Sequence, residues 1–358
     1  MIQMDKKTAT AAIYGGLFLG GGGGGSIKNG LKEIEEVFKI GKFELKNIDE
    51  FDENDFIITA SAVGSPASKD GFISKEHITN IYKLLKDNED IDIKGIITNE
   101  NGGASTANGW ILSAITGIPV VDAPCNGRAH PTGTMGSMGL SQIEDYSTVQ
   151  VSAGGKKENS LELLVKGNLE SCSRLVRSSA VEAKGLVTVL RNPVKVAYVK
   201  ENAAIGGIEQ AIEIGTIFVE NKDTNKILEK LKDLLKAEVL CDGEVKSYEI
   251  KIEGGFDVGK VEIEKNNSEI SELVFWNEYM TYEENGKRKA TFPDLIVTMD
   301  KNKGEVLNSS DIREGQEIIV IKVNRDKLKL GKGMFDKKLF YQVEKVINKE
   351  IVKYSFGG

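Results

Sequence analysis

Cysteine, histidine and proline are scarce in this chain. Cys125, Cys172 and Cys241 are its only cysteines and His77 and His130 its only histidines, and six prolines are spread over 358 residues. Three thiols, far apart and with no CxxC pair, exclude a disulfide framework, and reduced thiols in a cytoplasm are the expected state. No run of 18 apolar residues exists, so no membrane-spanning helix is expected. The start "MIQMDKKTATAAIYGGLFLGGGGGG" has two lysines and a short apolar run but no small-residue cleavage site, so a secretory signal is not expected either. Positive charge is in deficit: 47 Lys and Arg against 54 Asp and Glu give a net charge of −7. That balance argues against nucleic acid or an anionic membrane as a partner. Internal repeats and low-complexity segments are absent too, apart from one glycine tract. What is left is an ordinary globular composition, 40% hydrophobic and 28% charged, long enough for two or three packed domains.

Up to residue 166 the chain alternates apolar strands with helical patterns. "DFIITASAVG" (55–64), "KGIITNE" (94–100) and "IPVVDA" (118–123) are short, rich in Ile, Val or Thr, and end in polar or glycine residues, as buried strands do. "SKEHITNIYKLLKD" (74–87) has helical spacing with Ser74 as N-cap, and "ASTANGWILSAITG" (104–117) is a small-residue helix. "STVQVSAGG" and "SLELLVKG" form a strand pair. This order predicts an α/β fold: a mostly parallel sheet with flanking helices over residues 1–166. The second domain, 167–358, divides into a helical part (167–240, with a strand at 186–191), a β-rich part (241–335) and a closing helix (336–352). In the β-rich part "KSYEIKIEGG", "GKVEIEK", "ELVFWNEYMTYE", "DLIVTMD" and "QEIIVIKV" alternate with period two, which predicts a barrel or sandwich.

Four Gly- or Pro-marked loops are expected to converge at the carboxyl edge of the parallel sheet, where open α/β sheets bind ligands. The first is the tract Gly20–Gly25 ahead of a helix from Ser26. Backbone amides of Gly22, Gly23 and Gly24 are candidate ligand contacts. A nucleotide site is disfavoured, because GxxxxGK[ST] is absent and the tract does not clearly follow a strand. The second is "SAVGSPAS" (61–68). The third is "NENGGAS" (99–105), with Glu100, Gly102 and Gly103 as candidate substrate contacts. The fourth is "VVDAPCNGRAHPTGTMGSMGL" (120–140), which gathers Cys125, His130, Asp122 and Arg128 within nine residues. There Cys125 is a candidate nucleophile, His130 lowers its pKa, Asp122 orients His130, and Arg128 grips a carboxylate. The competing reading makes Cys125 a small core residue and His130 a donor behind the site. A divalent metal such as zinc, held by Asp122, Cys125, His130 and Glu100, is a further alternative, although Cys-x4-His is not a zinc spacing. His77, Cys172 and Cys241 read as structural. In the β-rich part, Asn277 and Glu278 are adjacent polar residues of one strand, so only one is expected to face a given pocket.

Taken in order, "LGGGGGG", "VGSPAS", "NENGGAS", "VVDAPCNGRAHP", "GGFDVGKVEIE", "FWNEYM" and "FPDLIVTMDKNKGEVLNSSDIREGQEIIVIKV" resemble the S-methyl thiohydantoin desulfurase family over nearly the whole chain. The resemblance implies a hydrolase that cleaves the carbon–sulfur bond of a methylthio-imidazolone, giving a hydantoin and methanethiol. Its partner is then a small heterocyclic substrate, and self-association into a homo-oligomer stays open. Two routes serve that reaction: displacement of methanethiol by Cys125, or direct attack by water with a carboxylate as base. A non-catalytic accessory subunit of a hydantoinase-type enzyme is the competing function.

Overall fold

The computed structural model describes residues 2–64, 70–265 and 269–357. The chain opens with β1 (Ile2–Gln3), α1 (Lys6–Gly20), α2 (Ile27–Ile40), β2 (Glu44–Lys46), β3 (Phe56–Gly64), α3 (Lys75–Asn88), β4 (Ile93–Thr98), α4 (Trp110–Thr116) and β5 (Val120–Val121). β2, β5, β4 and β3 pair in parallel in that order and form the centre of an eight-stranded sheet. The expected α/β class is therefore observed. The parallel centre is extended by antiparallel strands: β1 beside β2, and β8 (Leu186–Lys195), β6 (Ser147–Gly154) and β7 (Leu161–Asn168) beyond β3. The β6–β7 pair is the one expected from sequence.

Local chemistry explains the helix boundaries. Ser74 accepts a hydrogen bond from the His77 amide and starts α3, and His77 Nδ1 returns a bond from the Ser74 amide. α1 begins at the Asp5 cap and stops where Gly21 turns left-handed. α1 packs on α7 (Gly207–Glu220) with almost no gap: a Cβ on Gly15 would lie 1.8 Å from Ala211 O, and one on Gly215 would lie 1.6 Å from Ala11 O.

After α5 (Leu169–Glu182), β8 returns the chain to the first sheet, and α6 (Val196–Asn202), α7 and α8 (Thr224–Leu235) follow. β8, which lies beyond residue 166, is inserted between β3 and β6 of the first sheet. α8 buries Ile227, Leu231 and Leu235 at i, i+4 and i+8, each contributing roughly 1.5–3 kcal/mol before chain entropy is charged.

The remainder forms a second eight-stranded sheet: β9 (Glu238–Glu253), β10 (Phe256–Lys265), β11 (Ile270–Trp276), β12 (Glu278–Glu284), β13 (Lys287–Thr291), β14 (Leu295–Asp300), β15 (Val306–Leu307) and β16 (Glu317–Val323). Every pairing in it is antiparallel. It coils around a core containing Val245, Val261, Leu273, Phe275, Ile296 and Val320, without closing into a barrel among the described residues. The outer faces of β14 and β16 are covered through Leu295, Val297, Ile319 and Ile321 by α1, α7 and α8. α9 (Lys337–Ile347) and α10 (Val352–Phe356) cover Trp276, Met280 and Phe292. No described helix is long and apolar enough to cross a membrane.

Candidate active site

The loops after β4 and β5 are laced together at the carboxyl edge of the parallel strands. Cys125 N donates to Thr98 O at 2.9 Å and Asn126 N to Asn99 O at 3.1 Å, so the 120s segment continues beside β4. Asn101 Nδ2 donates to Gly127 O (3.3 Å) and Gly207 O (2.8 Å), fixing the two loops to the start of α7. This lacing brings His130 to Glu100. His130 N donates to Glu100 Oε2 at 3.2 Å, and Nε2 lies 3.3 Å from the same oxygen and 3.5 Å from Asn99 O. Ser105 Oγ donates to Glu100 Oε1 at 2.9 Å. Burial lowers the His130 pKa below its usual value, against the pull of Glu100, and so favours the neutral ring.

The glycine tract joins the two sheets through its carbonyls. Gly21 O accepts from Tyr279 N (2.8 Å), Gly22 O from Ser309 N (2.8 Å) and Gly24 O from Ala104 N and Ser105 N (both 3.0 Å). A Cβ on Gly102 would meet Gly24 Cα at 2.4 Å, and one on Gly103 would meet Gly25 O at 2.6 Å. Gly102 and Gly103 therefore serve close backbone packing, while Gly22 makes room for the Tyr279 ring and Gly23 for the Glu278 carboxyl, 2.0 Å from where its Cβ would stand; none of the four forms cleft wall, which corrects their expected role as substrate contacts. Gly24 and Gly25 do reach the wall. The tract packs on the 120s segment at Arg128 and Ala129, not at Cys125.

A cleft of about 1600 Å³ opens at this junction. Its wall includes Glu100, His130, Asn277, Glu278, Arg177 and Arg191. Asn277 has φ +55° between β11 and β12, and its side chain and backbone are held by Asp257 and Ser309. That turn breaks strand alternation, so Asn277 and Glu278 both face the cleft, contrary to the expectation that only one would. Glu278 is 1% exposed and its Oε2 has no partner. Burial, reinforced by the charge of Glu100, raises its pKa well above the carboxylate range, with Arg128 opposing. Burial thus favours its protonated form.

Three expected site residues lie elsewhere. Cys125 has no solvent exposure and packs in a cluster with Ile57, Ile97 and Val121, its Sγ 3.3 Å from Thr59 Oγ1. Burial pushes its thiol up to about 11, so the nucleophile reading gives way to the core reading. Asp122 caps α7: its Oδ1 accepts from Ile208 N at 2.6 Å and its Oδ2 from Glu209 N at 3.2 Å. It does not orient His130. Arg128 is fully buried behind the site, donating through Nη1 to Pro293 O (3.0 Å) and Asp294 O (2.8 Å) over the Phe292 ring, and it does not reach the cleft wall. Of the four supposed zinc ligands only Glu100 and His130 meet, and among the described residues no group of three or more His, Cys, Asp or Glu side chains could hold a metal. Most of the "GSPAS" part of the 61–68 loop lies outside the described residues.

Arg177 on α5 and Arg191 on β8 were not anticipated as site residues. The available signal was a lone arginine ending the apolar run "LVTVLR".

The fold has a close counterpart. An X-ray crystal structure of a protein from Chromobacterium violaceum superposes with a TM-score of 0.74 at 17% identity, covering 96% of this chain and 97% of that one. Family models identify the chain more closely. The S-Me-THD-like N-terminal domain matches residues 9–164 and the S-Me-THD-like C-terminal domain matches 167–333, so the chain belongs to the S-Me-THD-like family, named for S-methyl thiohydantoin desulfurase. No curated protein matches it significantly.

Proposed function

We propose that this protein is a hydrolase that removes the methylthio group from an S-methyl thiohydantoin-type ring, with water as the nucleophile. The family supports the reaction class. The observation that carries the mechanism is a pair of cleft carboxyl groups in different surroundings. Glu100 is surrounded by the His130 amide, the His130 ring and the Ser105 hydroxyl, whereas Glu278 is buried without a partner for Oε2, which favours its protonated form. Environments that push two carboxyl groups apart define a base and an acid.

Glu100 takes one proton from the attacking water as its oxygen bonds to the ring carbon. Glu278 gives its proton to the ring nitrogen as the C=N bond becomes a C–N bond. The tetrahedral centre then collapses: the new hydroxyl proton returns to Glu278, the C–S bond breaks, and the thiolate takes the proton from Glu100. Water and the methylthio ring become hydantoin and methanethiol, and both carboxyl groups are restored. His130 holds Glu100 in place, and Gly24 helps through Ser105, whose hydroxyl touches both Gly24 O and Glu100.

The test is methanethiol release by the purified full chain from an S-methyl thiohydantoin. Glu100→Gln and Glu278→Gln should each lower kcat by about 10²–10⁴, the usual range for one acid or base. No release by the wild-type chain would sink the reading and favour an accessory role.

A further inference from the structure

The acid–base chemistry leaves part of the cleft wall without a task. Arg191 is only 3% exposed, its Nε has no partner, and no described Asp or Glu forms an ion pair with it or with Arg177. The Oγ atoms of Ser61 on β3 and Ser173 on α5 are likewise buried and unpartnered. All four residues line the cleft. Gly133 keeps this corner open: a Cβ there would stand 2.9 Å from Arg191 Nη1 and 3.7 Å from Ser173 Oγ. Arg177 is held from behind, its guanidinium 4.1 Å from the Phe256 ring centroid and its Nη1 donating to Gly64 O and Gly255 O, both at 3.4 Å. Burial acts against the charge of both residues, and the charge of Arg191 adds to the effect on Arg177, while Glu100 favours the charge of both and Glu278 that of Arg177. Neither carboxyl group forms an ion pair with them, so an anion bound in direct contact offsets more of the cost of holding two cations in the cleft wall.

We propose that Arg191, Arg177, Ser61 and Ser173 form a subsite for a carboxylate carried on the ring substrate, a proposal that rests on the ring-hydrolase reading above. A carboxylate matches the planar donor fork of a guanidinium, and the serine hydroxyls donate to its remaining lone pairs. A phosphate group shares this chemistry, so the two anions are tested separately.

Binding to the full chain is measured by titration calorimetry with hydantoin-5-acetic acid, its neutral amide hydantoin-5-acetamide, and inorganic phosphate. The acid should bind at least about tenfold more tightly than the amide, the scale of one charge-assisted contact. Arg191→Met should remove most of that preference. Gly133→Val, which retains the guanidinium but covers Nη1, should reduce it as well, and it decides the matter with Arg177→Met if Arg191→Met does not fold. Equal binding of acid and amide would overturn the subsite while leaving the ring-hydrolase reading intact. If neither hydantoin binds, but phosphate binds the wild type and not the Arg191 variant, the anion site is real, and both its carboxylate assignment and the ring-hydrolase reading fall. Binding of none of the three overturns the subsite.

Discussion

Cys125→Ala separates the two routes to carbon–sulfur cleavage most cleanly. The substitution removes one sulfur from a position with no solvent exposure. Losing one buried heavy atom costs about 1 kcal/mol in transfer and cavity terms, by analogy with Ile→Val. Thr59 Oγ1 loses its neighbour at 3.3 Å, and a weak thiol hydrogen bond adds about 0.5–1 kcal/mol. The sum, about 2 kcal/mol, corresponds to a fall in Tm of about 3 °C for a chain of this size. Turnover should stay within about twofold, because no transition-state contact is lost. Scanning fluorimetry gives the stability, and methanethiol release gives the turnover. The wild-type thiol should also resist alkylation under native conditions, since burial holds its pKa up to about 11. A loss of turnover beyond about 100-fold with an almost unchanged Tm would refute this reasoning and restore the thiolate mechanism.

Glu278 should make stability depend on pH. Its proton affinity is raised on folding, so above the ordinary value of 4.5 the native state holds a proton that the unfolded chain has released. Stability therefore declines as pH rises from there toward the folded-state value, and Glu278→Gln should remove that part of the decline in urea titrations; parallel curves for variant and wild type above the ordinary value would count against it. Asp122→Ala should cost about 2–4 kcal/mol, by removing the α7 cap and leaving the Ile208 amide buried without its acceptor, while turnover of the folded fraction is unchanged. Lost turnover at unchanged stability would instead return Asp122 to the reaction.

Much of the architecture was legible because its signals are local. The periods of 3.6 and 2 mark α3, α8, β3 and β4, and the change of period near 241 marks the second sheet, which begins at Glu238. The Ser74 cap was legible for the same reason, since donor and acceptor are three residues apart. The strand expected at 118–123 shrinks to Val120–Val121: Asp122 N still donates to Lys46 O, but its carbonyl accepts from Gly206 N and its carboxylate from the amides of Ile208 and Glu209, 86 and 87 residues downstream.

By itself the sequence determined the element types, the α/β-then-β order, and the gathering of glycine-marked loops at one sheet edge. Glu100, His130, Asn277 and Glu278 were among its candidates for the site. Tertiary structure alone decided which polar residues face the cleft. Reactivity follows burial and partners, and these are set by contacts between residues distant in the chain. Cys125 and Asp122 looked reactive from their neighbours in sequence, yet the fold consumes one in a core and the other at a helix end. Glu278 looked like one of two alternating strand residues, yet a single left-handed turn at Asn277 brings it to the cleft wall and burial beside Glu100 raises its pKa.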